Sequence, residues 1–167
     1  MGECSTSTSL RHRGATLRDS ESRIKKDFQT NMPKFIIMHW DGKVIKYAKK
    51  RETDERLAIV GSFPRPDNQH QFLAAPRIPN GTGSSMKDAL LDTLRVWEIP
   101  YDRILGMSWD TTSSNTGQHI GSATLFENEL QHAILWLACR HHIGELHVKH
   151  ADIEARGVRK GKHIPNN

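Results

Sequence analysis

Two apolar runs in this sequence end in an aspartate. Phe35-Ile36-Ile37-Met38-His39-Trp40 leads into Asp41-Gly42-Lys43, and Ile104-Leu105-Gly106-Met107 leads through Ser108-Trp109 into Asp110. Small hydroxyl and amide residues follow Asp110, up to Asn115-Thr116-Gly117. Short continuous apolar runs read as buried strands. In open α/β sheets, sites form just outside the carboxyl ends of such strands. Two carboxylates meeting there would hold a hard divalent cation, Mg²⁺ or Mn²⁺, which prefers oxygen ligands and also binds phosphate oxygens. The chemistry implied is metal-assisted cleavage or transfer at a phosphodiester. Each residue also has a plainer reading. Asp41-Gly42 is a strong hairpin-turn signal, and Asp110 could cap a helix or loop. Ser113, Ser114, Asn115 and Thr116 would shape the loop beside the metal or touch a phosphate, and Asn115 or Thr116 would equally serve as a helix cap.

A second cluster holds Cys139, His141, His142, His147 and His150. Zinc sites are built from such ligands. On a helix, however, Cys139, His142 and His150 share a side with Ile143 and Leu146. The sequence therefore favours a buried Cys-His pair buttressing the Asp110 strand, with zinc as the lesser reading. Glu145 lies in the same stretch and is a candidate substitute third acid, although a solvent-facing helix glutamate is its default role. Arg11, Arg13, Arg18, Arg23, Lys25 and Lys26 form a basic arm that could neutralise phosphates without reading base sequence. Trp40, Trp97, Trp109 and Trp136 sit in or at the ends of apolar runs and read as core.

These residues must be positioned by a chain of 167 residues with a formal net charge of +5, of which 36% are apolar. That length suits one domain, and the apolar residues concentrate between positions 33 and 150. The charge favours phosphate-bearing partners, mildly. Two cysteines, Cys4 and Cys139, do not make a disulfide framework. No apolar run approaches the length needed to span a bilayer, and the N-terminus lacks a signal-peptide core. The expectation is a nuclear or cytoplasmic protein with no membrane association.

The expected organisation is a disordered basic arm over residues 1–32, a domain over 33–150 and a disordered basic tail over 151–167. Within the arm, residues 20–28 have some helical character. Residues 34–40 read as the first strand, Asp41-Gly42 as a hairpin turn and 43–47 as the returning strand. A charged loop follows over 49–56. Strands are expected at 57–63 and 71–75, separated by a turn over 64–68. Leu90, Leu91, Leu94 and Trp97 recur at helical spacing and predict a helix over 86–97, capped by Ser84 or Ser85. The Asp110 strand spans 103–109. A helix over 118–130, a strand over 133–138 and a helix over 139–150 complete the series. Hairpins followed by alternating helices and strands imply a mixed sheet with helices on its faces.

That order resembles the ribonuclease-H-like fold. The stretches HWDGK, RLAIVGSF, GTG, SWDTTSSNTG and ILWLACRHHIGEL narrow the resemblance to the catalytic core of cut-and-paste DNA transposases, especially hAT-like elements and their domesticated relatives. It covers residues 35–150. In that family the first catalytic aspartate ends the first strand, as Asp41 does. The second ends the fourth strand, as Asp110 does, and Cys139 with His142 matches the C-x-x-H that follows the fifth. The resemblance implies Mg²⁺-dependent hydrolysis and strand transfer on DNA, with Asp41 and Asp110 as catalytic metal ligands. Asn115, Cys139 and His142 would support them. The family's third acid lies beyond a long helical insertion that this sequence lacks. The resemblance therefore implies an incomplete or inactive core, truncated before that acid, that could act as a non-catalytic nucleic-acid or protein-interaction module. It also leaves room for an oligomer that supplies missing segments.

Overall fold

The computed structural model describes residues 6–46, 53–63, 70–139, 144 and 147–151. The elements are α1 (Thr6–Thr30), β1 (Ile36–Lys46), β2 (Thr53–Ser62), β3 (His70–Ala74), α2 (Gly83–Trp97), β4 (Ile104–Trp109), α3 (Ser113–Thr116), α4 (Ser122–Leu130) and β5 (Leu135–Ala138). The five strands form one sheet in the order β3-β2-β1-β4-β5. β2 runs antiparallel to β1 and β3, while β4 is parallel to β1 and β5 parallel to β4. This is the mixed α/β sheet of the ribonuclease-H-like fold, with the two aspartate-bearing strands adjacent at its centre.

Side-chain alternation decides which face is covered. Ile36, Met38 and Trp40 of β1 are buried, as are Leu57 and Ile59 of β2 and Met107 and Trp109 of β4. They pack against Leu90, Leu94 and Trp97 of α2 and Ala123, Phe126 and Leu130 of α4. Full burial of each large side chain stabilises the fold by roughly 1.5–3 kcal/mol. Ile37, His39 and Asp41 alternate with the buried set and point to the opposite face.

The Asp41-Gly42 pair does not turn. β1 continues through it, and Ile37 to Lys46 pair residue by residue with Ser62 to Thr53. A turn at Asp41-Gly42 would need left-handed backbone at both positions, whereas Gly42 lies outside that region. The unbroken ladder with β2 wins over the local signal. The expected loop over 49–56 shrinks accordingly, because β2 already begins at Thr53.

Helix α2 starts earlier than the apolar spacing indicates. Its cap is Thr82, whose hydroxyl accepts from the Ser85 amide, rather than either serine. It ends at Glu98, which takes the left-handed conformation ahead of Pro100. The helix expected over 118–130 begins only at Ser122, as α4, and a separate short helix, α3, stands in the loop after Asp110, the two divided by residues 117–121. Gly121 explains the break: a Cβ there would lie 2.5 Å from the Gly117 nitrogen, so two backbone segments meet face to face.

Within the arm, Thr6–Thr30 form an α-helix. No proline interrupts it, and its end is anchored by Phe28, which is buried with its ring 5.7 Å from Phe63 and 5.3 Å from Trp97. The core thus reaches back beyond residue 33. Trp136 departs from expectation too. β5 is an edge strand with all four residues exposed, and Trp136 keeps 46% of its surface. The turn expected over 64–68 and the tail beyond Ala151 lie outside the described residues. Of the helix expected over 139–150, Cys139 is described and is not helical, whereas Gly144 and residues 147–150 are described and are helical.

Candidate active site

β1 and β4 meet in parallel with Met38 beside Met107, His39 beside Ser108 and Trp40 beside Trp109. Asp41 and Asp110 are each the next residue, so they leave the ladder side by side. A bulge makes them level. The register shifts between Ile36, which faces Ile104, and Ile37, which faces Gly106, so β4 carries one extra residue there. Without that bulge every later β4 side chain would swap faces relative to β1. Below the aspartates the rings of Trp40 and Trp109 stack at 5.3 Å and 14°.

Asp110 is held by its own loop. Its Oδ1 accepts from the Thr112 hydroxyl at 2.8 Å, from the Thr112 amide at 3.3 Å and from the Asn115 side-chain amide. Among the described residues no hydrogen bond engages Oδ2. Asn115 is 2% exposed. Its Oδ1 accepts from the Trp40 indole at 2.9 Å and from the Ser122 hydroxyl at 2.6 Å. Asn115 is therefore not a helix cap; Thr112 occupies that position at α3. A buried amide satisfied on both ends ties β1, the Asp110 loop and α4 together.

Asp41 is half-exposed and forms an ion pair with Lys43 at 2.7 Å. Both aspartates line a cleft of about 500 Å³ together with His39, Lys43, Ser108 and Cys139. A larger hollow of about 670 Å³ lies between β3 and α2, away from the paired aspartates, and is mostly apolar around Phe72, Val96 and Trp97. The smaller cleft is the one with candidate chemistry, because it carries both carboxylates.

Cys139 carries a free, half-buried thiol, and its amide donates to the Trp109 carbonyl at 2.9 Å. It borders the cleft instead of packing beneath it. His142 and Glu145 lie outside the described residues, and His147 and His150 are exposed, the latter against the expectation of a core-facing side. Among the described residues no three His, Cys, Asp or Glu side chains gather at one point. Arg18, Lys25 and Lys26 belong to α1 and do not line the cleft, and Arg11 and Arg13 fall in the same helix.

His39 and Ser108 were not singled out from the sequence, yet both line the cleft. The signal was present: each stands two residues before an aspartate, so strand alternation puts it on the same face. The His39 imidazole is half-buried, and its pKa lies below the ordinary value, first through burial and then through the neighbouring His70 charge.

Two carboxylates lining one cleft are the donor type that a hard divalent cation takes. Among the described residues no hydrogen bond engages Asp110 Oδ2, and Asp41 lines the same accessible cleft. Neither protein-family profiles nor curated proteins match this sequence. Solved structures do. A chain of the simian T-cell lymphotropic virus intasome in complex with PP2A regulatory subunit B56 gamma is similar at a TM-score of 0.45 and 14% identity. That similarity covers 77% of this chain but only 45% of the other, so this chain spans less than half of that protein. The HTLV-2 integrase catalytic core domain, solved with magnesium in trimeric and dimeric forms, is similar at a TM-score of 0.41 and 12% identity. The matches cover 80% of this chain and 77% or 78% of the integrase cores.

Proposed function

We propose that this chain is a transposase-derived, ribonuclease-H-like nucleic-acid-processing domain of the hAT type, acting on DNA in the nucleus or cytoplasm. The observation behind this reading is the β1–β4 register, which sets Asp41 and Asp110 level and adjacent. Mg²⁺ or Mn²⁺ held between them would polarise a phosphodiester and lower the pKa of water, the chemistry such ions supply at phosphoryl centres. The protein's own part is to fix the ligands. Asn115 and Thr112 lock one oxygen of Asp110 and leave the other for the cation. Trp40 and Trp109 stiffen the strands beneath. Glu145 is the candidate third acid, and the basic residues Arg11, Arg13, Arg18, Lys25 and Lys26 would meet the DNA backbone.

Asp110→Asn is the decisive variant. The wild type nicks supercoiled DNA with Mg²⁺ or Mn²⁺ and Asp110→Asn does not. Nicking that survives the substitution belongs to a contaminant and ends the reading.

One observation favours a second reading. Lys43 already neutralises Asp41 at 2.7 Å, which weakens the pair as a cation site and suits a non-catalytic nucleic-acid-binding module. In that case DNA binding falls steeply with salt, weakens when Arg18, Lys25 and Lys26 are replaced by Gln, and proceeds without nicking.

A further inference from the structure

Three adjacent strands bring a second polar cluster to the cleft-bearing face of the sheet. His39 of β1 and His70 of β3 both reach towards Ser62 of β2. The Ser62 hydroxyl lies 2.7 Å from His39 Nε2 and 2.7 Å from His70 Nδ1. The two rings are nearly perpendicular, with centroids 6.4 Å apart. They do not stack; each turns one nitrogen towards the same oxygen. In the sequence His39 stands 23 residues before Ser62 and His70 eight after it, and nothing in that spacing announces a site.

The hydrogen-bond count constrains this arrangement. A hydroxyl has one proton to donate, and a neutral imidazole has one N–H and one lone pair. Ser62 can donate to one ring, so the other ring must donate to Ser62. Two nitrogens aimed at one point offer a simpler alternative: a single cation that takes a lone pair from each. Imidazole nitrogen is a borderline ligand that suits Zn²⁺ and Co²⁺ and not Mg²⁺. The point both nitrogens face is held by the Ser62 oxygen, so an ion bonded at about 2.0–2.1 Å to each nitrogen needs the hydroxyl to turn aside and the rings to close by side-chain rotation. The exposed His70 can make that movement. Its ring proton leaves Nδ1, the other nitrogen keeps or regains one from water, and the lone pair at Nδ1 becomes available.

We propose that His39 and His70, with the Ser62 hydroxyl between them, form a two-histidine site for a zinc-class divalent cation. Water completes the coordination, since among the described residues no third His, Cys, Asp or Glu joins them. This site is separate from the aspartate pair in ligand chemistry, so the molecule sorts two cation classes on one face. Zinc there would fasten the edge strand β3 to the central strand β1 across β2. Because His39 also lines the cleft, the ion would sit in the cleft wall.

The test uses the full chain with ZnCl₂ or CoCl₂ alone and needs no DNA. Titration calorimetry measures affinity, and ring ¹⁵N spectra identify the histidines that respond. In the wild type, His39 and His70 ring signals move first, with one ion per chain. His70→Gln weakens that binding at least tenfold, and the exposed position spares the fold. Ser62→Ala keeps both imidazoles and stays within a few-fold of wild type. Cys139→Ser and Asp110→Asn leave the affinity unchanged. Equal affinity in His70→Gln, loss in Cys139→Ser, or no shift of either ring in the wild type overturns the site. None of these readouts depends on whether the chain cleaves DNA.

Discussion

The Asn115 side chain donates to the Asp110 carboxylate while its carbonyl oxygen accepts from Trp40 and Ser122. A single buried amide thus couples the orientation of one acidic residue to the strand that carries the other. Asn115→Leu removes the acceptor and leaves the Trp40 N–H and the Ser122 hydroxyl unpaired in the interior. Each orphaned group costs on the order of 1–3 kcal/mol, so urea denaturation should show a loss of roughly 2–4 kcal/mol. Asn115→Asp should be no better, because it puts a second carboxylate against Asp110.

The approach of α2 to the α3–α4 connection predicts a steep penalty at one glycine. A Cβ on Gly83 would lie 2.1 Å from the Ile120 carbonyl oxygen and 2.7 Å from the Ser122 nitrogen. Both are backbone atoms and cannot rotate away. Gly83→Ala should therefore destabilise by about 3 kcal/mol or more, read as a lower denaturation midpoint with an unchanged slope. Gly144 is the contrast: it is helical, and nothing lies within 4 Å of an added Cβ. There alanine should stabilise by up to about 1 kcal/mol through helix propensity.

Much of this architecture is legible in the sequence where local pattern and tertiary partner agree. The runs ending at Trp40 and Trp109 are central strands, and Leu90, Leu94 and Trp97 mark the buried stripe of α2. Where the two conflict, the partner decides. Asp41-Gly42 carries a turn signal, but the ladder with β2 holds it extended. The polar spacing of α1 hides a helix that depends on Phe28 finding Phe63 and Trp97, contacts no local window contains. Trp136 looks like core because its run is apolar, yet among the described residues β5 pairs with β4 alone and its four side chains are exposed. In the candidate site, strand ends pointed to Asp41 and Asp110. The partners of Asn115 and the convergence of His39 and His70 on Ser62 could not be read, since they depend on register across three strands.

Stability should also carry a pH signature from His132. Its Nε2 lies 3.1 Å from the Ile104 carbonyl and its Nδ1 lies 3.0 Å from the Leu130 carbonyl. A neutral ring can donate to only one of them; the imidazolium donates to both. The bond to Ile104, then that to Leu130, holds the pKa above the ordinary 6.5. A raised value means that the folded state binds the proton more tightly than the unfolded chain. The contribution is therefore complete below about pH 6.5 and fades as pH rises through the folded value. Thermal melts of wild type and His132→Gln should differ most near pH 5.5 and converge towards pH 9. A constant gap across that range would mean the ring acts by packing alone.

The ion pair between Lys43 and Asp41 sets up a competition at the mouth of the cleft. Lys43 Nζ sits 2.7 Å from Asp41 Oδ2, with side chains 68% and 48% exposed. An exposed pair of this kind contributes roughly 0–1 kcal/mol, so removing it should leave the fold nearly unchanged. Any cation approaching Asp41 must displace that ammonium or share the carboxylate with it. Lys43→Gln lifts the repulsion, and Mg²⁺ or Mn²⁺ binding should tighten by up to about fivefold, the factor that 1 kcal/mol represents. Calorimetric titration checks this, with Asp41→Asn as the partner variant. If the aspartates share an ion, the gain from Lys43→Gln disappears in the Asp41→Asn background. If Lys43 acts only through the general charge of the surface, the gain persists there, and the cation is held somewhere other than between Asp41 and Asp110.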